Sequence, residues 1–190
     1  MSLEPYISKE FQLVLADPPW PYYGDPNKMA AAGKHYDLMS MEELEAMPVK
    51  EICSKKAACF MWATGPRLHE AVDLMRAWGF HYRGVAWVWV KTRQDGEIMG
   101  PAGVPPTFVK PTTEFIIAGT TNKVGRPFPI QTSKMRQVVL APRGKHSEKP
   151  AVFHKNIEEL CGDVKKIELF AREPKEGWVT TGFELTGTKY

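Results

Sequence analysis

Asp17, Pro18, Pro19 and Trp20 stand in direct succession at the end of an apolar run, and their residue types suit one kind of chemistry. An ionised aspartate accepts hydrogen bonds and donates none, while a proline offers a carbonyl without an N–H. Pro19 biases Pro18 towards an extended backbone, and the two prolines lack N–H groups, so the turn presents acceptors without competing donors. Trp20 adds a wide aromatic face. Two acceptors beside a stacking surface match a planar base that carries an exocyclic NH2. The amino nitrogen of adenine is a poor nucleophile because its lone pair is delocalised into the ring. Accepting both N–H bonds at Asp17 and the Pro18 carbonyl holds that nitrogen towards tetrahedral geometry. It also stabilises the positive charge that develops as the nitrogen attacks a methyl group. Asp17 then takes the surplus proton, directly or through water, and the fixed orientation lowers the barrier further. By average residue usage this tetrapeptide arises by chance in such a chain roughly once in a few thousand. Two other roles stay open for these residues. Asp17 capping a turn with Trp20 in the core is one, and Asp17 as a magnesium ligand after an apolar strand is the other. The second asks for a phosphate-binding loop, and Gly33-Lys34-His35 lacks both the leading glycine and the hydroxyl residue.

The elements that must position the tetrapeptide are legible from period and punctuation. Residues 11–16 form a short apolar strand stopped by the prolines. Ser40 with Glu43 makes a capping box, which predicts a helix over 41–47. Residues 57–63 read as a second strand, followed by a helix that opens at Pro66, recurs at Leu68, Ala71, Val72 and Met75, and closes at Gly79. Residues 81–91 carry a third strand rich in Val and Trp, and 93–111 a long Gly- and Pro-rich loop. Strands are predicted at 114–118, 138–141, 167–171 and 178–181, with a helix over 149–161 that stops at Gly162. Strands alternating with helices predict a mixed α/β sheet with helices on both faces, in a single domain over 1–190. Ligands of such sheets bind outside the carboxyl ends of the strands, where Asp17 and Arg172 both fall.

Composition narrows the class. With 190 residues, 43% hydrophobic, 21 aromatics and a net charge of +3, the chain has a core to build and is not disordered. No apolar run reaches the ~18–20 residues a membrane helix needs, which excludes a spanning segment. The first residues lack a basic cap and apolar stretch, and three cysteines without Cys-x-x-Cys spacing argue against disulfides and structural zinc, so a cytoplasmic setting is expected. Between Thr120 and Pro150 seven basic residues (Lys123, Arg126, Lys134, Arg136, Arg143, Lys145 and Lys149) face Glu148 alone. A solvated surface and a phosphate-facing strip both fit this run. The interleaved Phe128, Gln131, Thr132 and Ser133 favour the second, with Lys134 and Arg136 as substrate contacts.

The chain resembles the MT-A70 family of N6-adenine methyltransferases over nearly its whole length. The resemblance is carried by 16–20 (ADPPW), 35–40 (HYDLMS), 60–65 (FMWATG), 89–92 (WVKT), 146–150 (HSEKP) and 167–172 (IELFAR), with Gly177 and Trp178 following. It implies S-adenosyl-L-methionine as methyl donor on a Rossmann-like sheet with permuted motif order, the catalytic turn preceding the main donor-binding segment. It implies that Asp17, Pro18, Pro19 and Trp20 hold the target adenine. Asp17 is also expected at the donor. Ser147 and Lys149 resemble the residues at the donor's methionine carboxylate, Phe170 and Arg172 those lining its nucleoside, and Glu184 the residue bonding the ribose. Tyr36 matches an aromatic residue over the acceptor base, and Tyr22 and Tyr23 join it in an expected flap that closes over a flipped base. Three departures stand out. The family's upstream acid and apolar neighbour have no counterpart ahead of the tetrapeptide. Phe183 replaces a common asparagine, and the segment between Trp20 and Tyr36 is long.

The expected substrate is nucleic acid, DNA favoured and RNA an alternative, with extrusion of the base from a duplex offset by the Trp20 and Tyr faces. A homodimer or a related partner subunit is compatible with the family. Its inactive subunits lose the catalytic acid, whereas Asp17 is intact here. Methylation of a protein amide is a third reading, but such enzymes carry a glycine-rich donor loop upstream that this chain lacks. Glu114 is left between partnering Lys149 and an exposed face, while Trp62, Trp87 and Trp89 are expected to pack. No metal ligand set is expected, His146 and His154 lacking partners at ligand spacing.

Overall fold

The computed structural model describes residues 2–20, 38–101, 108–144 and 148–182. Tyr22, Tyr23, Tyr36, Ser147, Glu184 and the expected flap lie outside the described residues. A short 3-10 turn (Glu4–Tyr6) precedes β1 (Phe11–Ala16), α1 (Met41–Glu45), α2 (Val49–Ile52) and β2 (Cys53–Thr64). A second 3-10 turn (Gly65–Arg67) leads into α3 (Leu68–Ala77), β3 (His81–Thr92), β4 (Thr113–Thr120) and β5 (Val138–Pro142). The chain then forms α4 (Val152–Cys161), β6 (Lys166–Leu169) and β7 (Val179–Thr181).

The strands make one sheet in the order β5-β3-β4-β2-β1-β6-β7. β1 runs parallel to β2 and β6, β6 to β7, and β3 to β5. Only β4 is reversed, antiparallel to both β2 and β3. Six strands therefore end at one edge of the sheet, and β4 begins there. β1 lies between two parallel neighbours and is buried on both faces, which is why its sequence is a continuous apolar run and not an alternating one. Val14 and Ala16 meet Leu44, Val49, Ile52, Leu74, Met75 and Trp78 from α1–α3 and the end of α3. Leu13 and Leu15 face the opposite core with Trp62, Trp87, Trp89, Phe153 and Ile157. Helices thus cover both faces, as expected.

The capping box forms as read: Glu43 N donates to Ser40 Oγ at 3.2 Å, and Ser40 N to Glu43 Oε2 at 2.7 Å. Such a cap stabilises a helix by about 0.5–2 kcal/mol. The helix nonetheless stops at Glu45, because Pro48 excludes Met47 from the helical region. The short α2 that follows has too few residues for a period to show. β2 starts at Cys53, four residues ahead of the apolar stretch, since 53–56 are polar and lie on its more exposed end. Pro66 opens the 3-10 turn, and α3 proper begins at Leu68. Gly79 at φ 84 and Gly162 at φ 71 close α3 and α4, a left-handed backbone that glycine adopts without strain. Gly119 serves another purpose: a Cβ there would lie 2.3 Å from Met75 Sδ, so α3 rests directly on β4. α4 begins at Val152 and not at Lys149, which leaves Lys149 in the lead-in where its side chain is free of the helix surface.

Candidate active site

Asp17 follows the last residue of β1 at the edge where six strands end, and Pro18 is buried beneath it. Trp20 N donates to the Pro18 carbonyl at 2.8 Å, and Met39 N to that of Pro19 at 3.2 Å. The acceptors of this turn were expected without competing donors, and these two backbone N–H groups compete. One of the two lone pairs of the Pro18 carbonyl is engaged by Trp20, and no second donor reaches it among the described residues. Trp20 is half-buried against the α1–α3 core, so its indole is anchored by packing and keeps only part of its surface for stacking.

Lys149 reaches this corner from the start of α4. Its Nζ donates to Asp17 Oδ2 at 2.8 Å and lies 3.5 Å from Glu114 Oε2. Lys91 Nζ donates to Glu114 Oε1 at 2.6 Å. Four charges of alternating sign thus stand in a row, Lys91, Glu114, Lys149 and Asp17, with side chains between 14% and 22% exposed. Two indoles support the cations. Lys149 Nζ sits 5.3 Å from the Trp62 ring centre and Lys91 Nζ 5.0 Å from that of Trp89. Trp62 and Trp89 meet edge to face at 6.2 Å, so they pack as expected while also flooring the row.

Burial pushes the Asp17 carboxyl up from the ordinary aspartate value, moderated by Lys149 beside it, with Glu114 raising it and Arg172 lowering it. Burial would raise Glu114 as well, but the ammonium groups of Lys149 and Lys91 outweigh it and hold that carboxyl low. Lys149 is raised: burial opposes its charge, but Asp17 and Glu114 together prevail. Lys149 and Glu114 therefore hold their charges at neutral pH, and of the three Asp17 is the one whose charge burial disfavours on balance. Burial pushes the Cys53 and Cys161 thiols up to about 12 and Cys59 well above its usual value, which leaves them inert packing groups.

Beside the row, β6 breaks at Phe170, whose φ of 62 is uncommon and strained for a bulky residue. Its side chain is 9% exposed and belongs to the α1–α3 core. Ala171 N donates to Thr181 O at 3.0 Å, and a Cβ on Gly182 would fall 2.1 Å from the Ala171 carbonyl oxygen. Only glycine permits this approach, which brings the chain after β7 against the chain after β6. Arg172 lies at the same edge, close enough for its charge to act on both Asp17 and Lys149.

Asp17, Lys149 and Arg172 converge; Lys134 and Arg136 do not join them. β4 ends at the edge opposite Asp17, and β5 begins level with Val88, midway along β3. The segment between passes the far end of α4, where Gln131 N donates to Leu160 O. Lys134 and Arg136 are exposed on the flank that leads up to β5, whereas Arg143 emerges at the edge that carries Asp17, its N–H bonded to Thr92 O at 3.1 Å. Sequence order alone made one strip of residues that topology spreads along the height of the sheet. Lys91 was assigned no role in advance. Its signal was a lone cation closing the apolar β3 run, and it has meaning only once the reversal of β4 places Glu114 alongside.

The sheet is Rossmann-like, of the kind methyltransferases use, with its polar groups gathered outside the carboxyl ends of the strands. Residues 11–184 match MT-A70, and the chain belongs to that family of methyltransferases. It is 31% identical over 198 residues to the Type II methyltransferase M.MunI of Mycoplasma sp, covering 95% of this chain and 80% of the relative. It is 26% identical to the human N(6)-adenine-specific methyltransferase METTL4, covering 93% of this chain and 38% of that protein. The human N(6)-adenosine-methyltransferase catalytic subunit METTL3 is also 26% identical, with 97% of this chain and 30% of that protein covered. The chain thus spans most of M.MunI and about a third of the human relatives. Among the described residues no helix is long and apolar enough to cross a membrane.

Proposed function

We propose that the protein is an S-adenosyl-L-methionine-dependent methyltransferase acting on the N6 amine of adenine in DNA. The observation that carries this reading is the acceptor turn of Asp17 and Pro18 at the carboxyl edge, with the Lys149 ammonium 2.8 Å from Asp17. The residues present suit the donor. An ammonium has three N–H bonds. Lys149 donates one to Asp17 and pairs with Glu114 by charge at 3.5 Å, which leaves N–H bonds for the donor's carboxylate, with Ser147 as its expected neighbour. The strained backbone at Phe170, the close approach at Gly182 and the Arg172 side chain suit a nucleoside held along β6, where Glu184 is expected at the ribose. When bound, S-adenosyl-L-methionine supplies an electrophilic methyl group on a sulfonium sulfur.

The chain's own residues do the rest. Asp17 and the free lone pair of the Pro18 carbonyl accept the two amine N–H bonds, which frees the nitrogen lone pair towards the methyl and stabilises the charge developing on nitrogen. Asp17, raised from its ordinary value by burial, is a better proton acceptor than a solvated carboxylate and takes the proton the nitrogen loses. Trp20 backs the base ring, with Tyr22, Tyr23 and Tyr36 as expected partners in holding it. DNA is favoured over RNA because the relative whose length is mostly covered is a Type II methyltransferase, and METTL4 is named for adenine. A cytoplasmic location, and a homodimer or a related partner subunit, accord with this reading.

The test is incubation with methyl-labelled donor and, separately, duplex DNA, single-stranded DNA and RNA, followed by nucleoside mass spectrometry. N6-methyldeoxyadenosine supports the proposal. Label confined to RNA replaces the substrate, and label on none of the three nucleic acids overturns the chemistry. Strand contact is proposed for Arg143 at the catalytic edge and for Lys134 and Arg136 along the β5 flank. Replacing Lys134 and Arg136 by glutamine is expected to lower the slope of log Kd against log salt by roughly 1–2, since each phosphate contact contributes about 0.7–0.9. An unchanged slope removes both residues from the contact surface.

A further inference from the structure

The reversal of β4 has a consequence for the site. As the one antiparallel strand, it delivers its second residue, Glu114, to the edge where its neighbours end, opposite Thr64 of β2 and Trp89 of β3. Among the described residues Glu114 makes no hydrogen bond or ion pair with the acceptor turn or with Phe170. It stands between two ammonium groups, Lys91 at 2.6 Å and Lys149 at 3.5 Å, and Lys149 in turn reaches Asp17 at 2.8 Å. One lysine is therefore shared by two carboxylates. Asp17 is the stronger claimant by distance, and an Asp17 fully committed to Lys149 has fewer lone pairs for an incoming amine. We propose that Glu114, clamped by Lys91, is a positioning residue whose ion pair with Lys149 holds that ammonium between Asp17 and the donor's carboxylate.

This inference rests on the assignment of Lys149 to the donor, and the geometry gives it content. Trp62 and Trp89 support the two ammonium groups from below, so each cation is fixed by an indole face and a carboxylate together. Glu114 stays ionised and Lys149 stays protonated at neutral pH, because each lies among opposite charges that outweigh its burial. The groups facing Asp17 are Lys149, Glu114 and Arg172, and those facing Glu114 are Lys149 and Lys91. Weakening Glu114 lets Lys149 close on Asp17. Removing Lys91 lets Glu114 draw Lys149 away from Asp17. The two changes act on Asp17 with opposite sign.

The experiment measures donor KM, kcat and the pH dependence of kcat for Glu114→Gln, Lys91→Met and Lys91→Arg on the full chain. Glu114→Gln is expected to raise donor KM about tenfold, the usual effect of one charge-assisted hydrogen bond. It also moves the acid limb of kcat to lower pH, because losing a nearby negative charge and gaining a closer ammonium both favour the Asp17 carboxylate. Lys91→Met moves the acid limb to higher pH, and Lys91→Arg, which keeps the contact, restores the native profile. Should Glu114→Gln fail to fold, the Lys91 pair decides alone. The proposal is overturned if the two limbs shift in one direction or stay put, or if the variants lower thermal stability while kinetics remain native. A Lys149→Met variant separates the two levels. Unchanged donor affinity there removes the donor assignment itself, whereas weakened donor binding alongside a native Glu114→Gln removes only the role of Glu114.

Discussion

Asp17→Ala is expected to lower kcat at saturating donor by about 10²–10³, the usual effect of losing one preorganised polar contact at a developing charge. The size follows from position. Asp17 supplies the charged half of the acceptor pair, and the Pro18 carbonyl, with one lone pair already taken by Trp20 N, cannot hold both amine hydrogens alone. The fold is expected to survive, because Asp17 lies beyond the last β1 residue and Lys149 keeps Glu114 as a carboxylate partner. Circular dichroism and thermal melts check that point. Asp17→Asn is the sharper control: the asparagine keeps the size and one acceptor oxygen, yet it accepts no proton and directs an NH2 at the site. Both variants are expected to be slow. A folded Asp17→Ala protein with near-native turnover contradicts the assigned chemistry.

Lys149→Met is expected to weaken donor binding by about 10–100-fold, measured calorimetrically, from the loss of a charge-assisted hydrogen bond to the donor's carboxylate. It also changes the pH profile, and the sign can be worked out. Burial raises Asp17 above its ordinary value, and Lys149 is the main group pulling it back. The carboxylate form is needed to grip the amine, so activity is lost as pH falls through the Asp17 value. In the native protein the acid limb therefore lies above the ordinary aspartate range. Without Lys149, Asp17 loses its cation and keeps Glu114 as a like-charged neighbour, so the limb moves to still higher pH. A native donor affinity combined with weakened acceptor binding contradicts this role for Lys149.

The elements of the sheet were legible where local signals and tertiary surroundings agree. β1 ended where the prolines begin, and the Ser40–Glu43 box formed as read. Gly79 and Gly162 closed their helices at positive φ. Legibility failed where a feature depends on strand direction. Nothing local in residues 113–120 says that β4 runs backwards, since an antiparallel strand inserted among parallel ones has the same composition. That one reversal put Glu114 beside Lys149, settling the alternative its sequence left open, and gave Lys91 a carboxylate partner no spacing suggested. The same topology separated Lys134 and Arg136 from the corner that sequence proximity to Lys149 had seemed to offer. The tetrapeptide was readable because its chemistry lies in four adjacent residues; the charge row was not, because its members come from β3, β4, the lead-in to α4 and the end of β1.

The most direct measurement of the central claim is a binding cycle between Asp17 and the amine it is said to grip. Dissociation constants are measured for a DNA strand carrying adenine at the methylated position and for the same strand carrying purine, which lacks the amine, with the native protein and with Asp17→Ala. Removing the amine is expected to weaken native binding about tenfold, as for a hydrogen bond to a charged acceptor, and to have little further effect once Asp17 is gone. An equal loss in both proteins contradicts the claim, for the amine and the carboxylate then act independently.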